Sequence, residues 1–124
     1  MNIALLHYSV PPVVGGVESV IAHHARMMST NGHSVGLIAA RGEAMNEQIA
    51  LARIALADSR HERVGHVKAQ LDSGEVTADF ASLRDELVRE LQTALVGVDV
   101  LIAHNVCSLN MNLALTAALY QLHQ

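Results

Sequence analysis

Residues 3–39, IALLHYSVPPVVGGVESVIAHHARMMSTNGHSVGLIA, decide the fold. The apolar run Ile3–Tyr8 is short and is followed by Ser and Pro, which predicts a buried strand. Residues 17–30 then predict a helix whose apolar stripe is formed by Val17, Val20, Ile21, Ala25 and Met28, and Asn31-Gly32 predicts its end. A second apolar run, Ser34–Ala39, predicts another strand. Strand, helix and strand in about forty residues form the repeating unit of a parallel sheet.

The rest of the chain continues this alternation. We expect helices over Arg60–Leu71, from Thr77 to about Leu95 and over Leu109–Leu122, and a strand over Asp99–Ala103. Residues 43–57 are ambiguous, with a helical pattern early and a short strand at 53–57. The predicted fold is α/β: a single Rossmann-like, three-layer domain over residues 1–124, with a mostly parallel sheet. The last helix has no stop signal and no strand follows it, so we expect the domain to be truncated there.

Composition excludes several classes of protein. Hydrophobic residues make up 51% and charged residues 16% of the chain, which is typical of a globular domain. A net charge of −4 argues against nucleic-acid binding, which needs a basic face. Cys107 is the only cysteine, and the start has no signal-peptide pattern, which favours a cytoplasmic protein. No apolar run is long enough to span a bilayer, but peripheral membrane contact stays open.

Several polar residues follow the predicted strands directly. His7 ends the first strand, Arg41 and Gly42 follow the second, and His104 and Asn105 follow the strand at 99–103. Ligands of open parallel sheets bind outside the carboxyl ends of the strands. We therefore expect these residues to face one edge of the sheet, with His7 and Asn105 as candidates for substrate binding.

The glycine pair Gly15-Gly16 stands at the start of the first predicted helix. Helix N-termini present unpaired N–H groups, and glycine lets a bound oxyanion such as a phosphate approach them closely. A tight turn into a helix explains the same pair without a ligand. Glu18 complements the helix dipole but would repel a nearby phosphate, so as a site residue we expect it to accept hydrogen bonds from hydroxyl groups or to orient the loop.

His104 is the histidine with the strongest claim to function, because it directly follows a buried strand. His24 lies on the apolar side of the first helix and is expected to be a packed core residue. Eight histidines raise the question of a metal site. The spacings do not support one: His61 and His66 are five apart, and there is no HExxH motif or cysteine cluster.

The opening segment resembles the N-terminal domain of GT-B glycosyltransferases, most closely the retaining group called glycosyltransferase family 4. That group has a P-x-x-G-G-[VA]-E loop, a long helix and a G-H-x-V strand. The matching residues here are Pro12, Gly15, Gly16, Val17, Glu18, Gly32, His33 and Val35. The segment 99–119, DVLIAHNVCSLNMNLALTAAL, resembles a later strand of the same domain, which ends in a histidine-bearing loop. The likeness is poor between residues 43 and 80.

The resemblance implies the acceptor side of a two-domain hexosyltransferase. Such an enzyme transfers a sugar from a nucleotide-sugar donor, its substrate, to an acceptor hydroxyl, and no cofactor or metal is expected. His104 matches the histidine near the reacting sugar and is the catalytic candidate. Gly15 and Gly16 match the glycine loop and Glu18 its acid, so these three are candidates for substrate binding. The C-terminal domain that binds most of the donor is missing, so the isolated chain is expected to be inactive.

Two other classes of function stay open. An NAD(P)-binding oxidoreductase domain could use Arg41 to meet a 2′-phosphate, but the chain has no G-x-G-x-x-G motif and no acidic residue after the second strand. A receiver-like interaction module needs clustered acids after its strands, where this chain has His7. The expected partners are the donor, the acceptor and the missing domain. A homodimer through an exposed sheet edge is a further hypothesis.

Overall fold

The computed structural model describes all 124 residues and contains a four-stranded sheet in the order β3-β2-β1-β4. All three strand pairs are parallel. The strands are β1 Asn2–Leu6, β2 Ser34–Ala39, β3 Leu51–Arg53 and β4 Val100–Ala103. This order confirms the predicted α/β, Rossmann-like arrangement, because the chain adds β2 and β3 on one side of β1 and then crosses to place β4 on the other.

Four helices cover the two faces of the sheet. They are α1 Gly16–Thr30, α2 Glu62–Asp72, α3 Ala78–Ala94 and α4 Leu113–His123. Residues of α1 share a buried cluster with one face, and residues of α2, α3 and α4 share a larger cluster with the other. The domain therefore has three layers. None of the four helices combines the length and the apolar character needed to cross a membrane.

The alternation of side chains along β1 explains why both faces are buried. Ile3 and Leu5 point into the cluster that contains Ile21 of α1. Ala4 and Leu6 point into the cluster formed with the other three helices. Successive side chains of a strand face opposite sides, so a strand with a helix layer on each side is a continuous apolar run. Fully burying each leucine contributes about 1.5–3 kcal/mol, and both leucines are fully buried.

Two expectations for the middle and the end of the chain were wrong. The third strand is Leu51–Arg53, and residues 55–57 form a single turn of 3-10 helix instead of a strand. Helix α4 begins four residues later than expected, because Asn112 caps it: the Asn112 Oδ1 atom accepts the N–H of Leu115 at 3.2 Å. A side-chain acceptor at the N-cap fixes the start of a helix more strongly than an apolar pattern does.

The inward face of α1 also differs from the expectation. Ile21, Ala22 and Ala25 are buried, whereas Val20 is 45% exposed. His24, expected to be packed in the core, is exposed. The expected residues Val17 and Met28 are partly buried against the same cluster as Ile21 and Ala25, so only Val20 of the predicted stripe turns away from the sheet.

The segments that leave β1 and β2 run side by side beyond the sheet. Ser9 and Arg41 form an isolated parallel bridge, and the Val10 N–H donates to the carbonyl oxygen of Arg41 at 2.9 Å. Gly42 follows with φ +121°, and a side chain there would collide with the Val10 carbonyl oxygen. The two segments therefore form a continuous wall at the carboxyl edge.

Candidate functional site

A polar cavity of about 280 Å³ opens at the carboxyl edge of the sheet. It lies at the switch point between β1 and β4, where the chain reverses the direction in which it adds strands. Its polar lining comes from the segments after β1, β2, β3 and β4 and from the start of α1. The lining side chains that carry charge or hydrogen-bonding groups include His7, Ser9, Glu18, Arg41, Arg60 and Asn105.

The Glu18 carboxylate is held firmly inside this cavity. Its Oε1 atom accepts the Ser9 hydroxyl at 2.6 Å and lies 3.8 Å from the Nε2 atom of His7. Only 12% of the Glu18 side chain is exposed. The carboxylate also folds back over the start of α1, where Gly15 leaves room for it: a Cβ at that position would collide with the Glu18 Oε2 atom.

Glu18 is ionised at neutral pH. Burial opposes its ionisation, but the hydrogen bonds from Ser9 and from its own backbone N–H, with the charges of His7 and Arg41, outweigh burial and lower its pKa. A carboxylate accepts at both oxygens, and Ser9 and one N–H do not exhaust that capacity. Glu18 can therefore accept hydrogen bonds from a ligand hydroxyl in the cavity.

His7 is buried, and its hydrogen bond fixes the position of its ring proton. The Nδ1 atom lies 2.9 Å from the backbone carbonyl oxygen of His104. A carbonyl oxygen only accepts, so Nδ1 carries a proton. The ring thus links the end of β1 to the end of β4 and directs Nε2 towards Glu18.

The imidazole of His104 lies outside the cavity lining. Its ring is 6.1 Å from the ring of His24 on α1, and its Nε2 atom is buried without a hydrogen-bond partner. Burial lowers the pKa of His104, and the charges of His24 and His7 lower it further. His104 is therefore neutral at pH 7, and its contact with the site runs through its backbone carbonyl.

The predicted residues are only partly brought together. His7, Gly16, Glu18 and Asn105 line the cavity, and nothing lies within 4 Å of the place where a Gly16 side chain would begin. Gly15 lies behind the Glu18 carboxylate and does not line the cavity. Asn105 adopts φ +60°, a left-handed conformation that asparagine tolerates better than most residues.

Arg41 and Arg60 line the same cavity as Glu18 and form its basic wall, of which the sequence analysis named only Arg41. The Arg41 Nε atom donates to Asp58 Oδ2 at 3.0 Å, and the Arg60 backbone N–H donates to Asp58 Oδ1 at 3.0 Å. Asp58 and Arg60 are not among the predicted site residues, because the short strand expected at 53–57 conceals the turn that brings them to this edge. Ser9 was missed too, although it lies two residues beyond His7.

Other parts of the surface offer less chemistry. A larger cavity of about 420 Å³ lies at the amino edge of the sheet, and none of its lining residues is ionisable. No group of three or more His, Cys, Asp or Glu side chains is placed to hold a metal ion. Cys107 is exposed and carries no close ion pair.

The chain was compared with protein-family models, with curated proteins and with solved structures, and none of the three comparisons gave a match.

Proposed function

We propose that the chain is the acceptor-side domain of a hexosyltransferase, which transfers a sugar from a nucleotide-sugar donor to an acceptor hydroxyl. The observation that carries the proposal is the ionised Glu18 carboxylate, fixed beside His7 in a cavity at the switch point of the sheet. The resemblance of residues 12–35 to a glycosyltransferase loop supports the same assignment.

In this proposal, Glu18 and His7 position the acceptor. Glu18 accepts a hydrogen bond from one hydroxyl, and the Nε2 atom of His7, 3.8 Å from Glu18, can hydrogen-bond to another. Both groups are held by other parts of the chain, Glu18 by Ser9 and His7 by the His104 carbonyl, so they do not reorganise when the ligand binds. Preorganised contacts of this kind place a nucleophilic oxygen for attack on the donor sugar.

Gly16, rather than Gly15, is the glycine that can meet the donor diphosphate. It lines the cavity at the first turn of α1, and the space beside its backbone is open. A diphosphate oxygen that enters this space reaches N–H groups at the positive end of the helix dipole. Glu18 shares this helix end, so the diphosphate approaches from the cavity side, away from Gly15.

His104 acts as a positioning residue in this scheme. Its carbonyl oxygen fixes the tautomer and the direction of the His7 ring. The neutral imidazole reaches a bound sugar only after its side chain turns towards the cavity. Turnover needs the donor-binding domain, so we expect the 124-residue chain alone to release no nucleoside diphosphate from UDP-glucose or GDP-mannose.

The test is ligand binding by the ¹⁵N-labelled chain, followed in amide spectra. Uridine diphosphate and methyl glucoside at millimolar concentration should shift the amides of Ser9, Gly16 and Asn105. Glu18→Gln should weaken methyl glucoside binding about fivefold or more, because a neutral amide accepts less strongly than a carboxylate. Gly16→Ala should fold normally and weaken uridine diphosphate binding, because its methyl group fills the open space.

Glu90→Gln provides the matched control, since it removes the same charge from an exposed position on α3 outside the cavity. It should leave both ligands unaffected. The proposal is wrong if neither ligand shifts the cavity amides. It is also wrong if NADPH binds saturably while both ligands fail, because that result assigns the domain to a nicotinamide enzyme through Arg41.

A further inference from the structure

We infer that the acceptor of this site is an anionic polyol, such as a sugar phosphate or a sugar acid, rather than a neutral sugar. This inference rests on the proposed function and names the substrate class of the same cavity. It follows from two sets of residues that line the same cavity: Glu18 and His7 can hydrogen-bond to hydroxyl groups, and Arg41 and Arg60, the basic wall, offer positive charge.

The basic wall carries more positive than negative charge. Asp58 holds Arg41 through its Nε atom and holds the backbone of Arg60 through its other oxygen. The terminal nitrogens of Arg41 and the whole side chain of Arg60 make no hydrogen bond or ion pair within the protein. Asp58 is thus the ion-pair partner of Arg41 alone, and the guanidinium group of Arg60 has no ion-pair partner.

This excess is a local exception in an acidic chain. The protein as a whole has a formal net charge of −4 at pH 7. The other carboxylate in the cavity is Glu18, whose pKa the charge of Arg41 helps to lower but which makes no close ion pair with either arginine. The Arg41 and Arg60 donors are therefore left for a ligand, and guanidinium groups match the paired oxygens of a phosphate or carboxylate.

The same arrangement limits how many acidic groups the ligand can carry. A neutral sugar uses only Glu18 and His7 and leaves the arginines unmatched. A ligand with an acidic group at each end would bring one of them against the Glu18 carboxylate. The cavity, at about 280 Å³, is near the lower end of the range for small-molecule sites, so it takes about one ring.

The experiment compares four probes on the 124-residue chain by calorimetry and amide spectra: glucose 6-phosphate, glucuronate, glucose and inorganic phosphate. Glucose 6-phosphate and glucuronate should bind about tenfold or more tightly than glucose, as expected for an added charge-assisted contact. Glucose 6-phosphate should also bind more tightly than inorganic phosphate. Added salt should weaken binding of the two anionic sugars and leave glucose unchanged.

Arg60→Gln is the decisive variant, because its exposed side chain has no partner whose loss would disturb folding. It should bring glucose 6-phosphate close to the affinity of glucose. Arg41→Lys keeps the charge but loses the planar fork and should have an intermediate effect. Arg89→Gln, on the exposed side of α3, removes the same charge elsewhere and should leave all four probes unaffected.

The possible failures are distinguishable. If glucose and glucose 6-phosphate bind equally and Glu18→Gln weakens both, the inference is overturned and the proposed function stands. If inorganic phosphate binds as tightly as glucose 6-phosphate, the two sets of residues do not act on one ligand and the inference is again overturned. If no probe binds and the uridine diphosphate and methyl glucoside titrations also fail, both assignments are wrong.

Discussion

The carboxylate of Glu18 occupies the space in which a side chain at Gly15 would begin. The backbone of Gly15 itself is extended, with φ 175°, a conformation open to any residue. Glycine is needed here for its lack of a Cβ and not for its freedom of rotation. The close contact lets Glu18 reach Ser9 and the start of α1, so the two residues act as one unit in the wall of the cavity.

Gly15→Ala should therefore lower the free energy of unfolding by about 1–3 kcal/mol, because the new methyl group displaces an anchored carboxylate from its hydrogen bonds. In a Glu18→Ala background, Gly15→Ala should change the free energy of unfolding by less than about 0.5 kcal/mol, because the carboxylate that obstructs the new methyl group is gone. Urea unfolding of the four proteins in this double-mutant cycle measures the coupling directly.

Gly16→Ala is the control for that cycle. Apart from its chain neighbours and the backbone of its own helix, no atom lies within 4 Å of its Cβ position, so the substitution should leave stability unchanged or raise it by about 0.4–1 kcal/mol. Equal losses at the two glycines would contradict the steric relationship between Gly15 and Glu18.

Acidification should destabilise the protein through His104. Its pKa in the folded state lies below the ordinary value of 6.5, so the unfolded state binds the proton more readily. The free energy of unfolding should therefore decrease as the pH falls below 6.5, until it passes the lowered pKa of the folded state. His104→Gln should flatten this part of the stability curve.

Urea unfolding between about pH 7.5 and pH 5 isolates this effect, because Glu18, whose pKa is lowered from 4.5, stays ionised throughout. Below that range Glu18 loses its own contribution as it takes up a proton. His23→Gln, at an exposed position on α1, should keep the wild-type slope. An unchanged slope in His104→Gln would show that burial does not disfavour the charged ring.

Asn112 is expected to be the most sensitive polar residue outside the cavity. Its side chain caps α4 and also donates to the Leu56 carbonyl oxygen at 2.9 Å, and the residue is 2% exposed. Asn112→Ala should lower the free energy of unfolding by about 2–4 kcal/mol, through loss of the cap and of a partner for a carbonyl group. Asn112→Asp keeps the cap and should lose less, whereas exposed Asn110→Ala should stay within about 0.5 kcal/mol.

Tyr8 offers the opposite case, a polar group whose removal should not harm the fold. Its hydroxyl is buried without a hydrogen-bond partner, and burial, followed by the charge of Cys107, raises its pKa. Tyr8→Phe should leave the free energy of unfolding unchanged or raise it by about 1 kcal/mol, because an unsatisfied group no longer has to be desolvated. Tyr120→Phe, at a 66% exposed position, is the control. A loss above about 1 kcal/mol in Tyr8→Phe would reveal a partner for the hydroxyl.

The sequence predicted three of the four strands of the sheet close to their observed positions but not the third strand or the turn that follows it. Strand β2 was predicted with its observed bounds, because apolar runs between turn residues identify buried parallel strands. The third strand was expected at 53–57 and lies at 51–53. The expectation was wrong because this strand has only three residues and adjoins a turn that is also apolar. The position of such a short strand depends on its pairing with a neighbouring strand, and a local sequence pattern carries no information about that pairing.

For the site, the sequence likewise predicted part of the arrangement and missed the rest. The rule that ligands bind beyond parallel strands correctly brought His7, Arg41 and Asn105 to one edge. It could not show which way a side chain turns, and the ring of His104 lies beside His24 on α1 instead of lining the cavity. Nor could it show that Asp58 would hold Arg41, because that ion pair joins the segments after β2 and β3.

The close contact between Gly42 and the Val10 carbonyl oxygen links the segment after β1 to the segment after β2. Each segment packs against the other, so an insertion or deletion of one residue in only one of them would separate the Ser9–Arg41 bridge. Loop grafting at this edge would thus have to exchange both connections as a matched pair. If only one of the two segments were exchanged, Arg41 would move relative to Glu18. The distance between the groups that contact a bound molecule would then change.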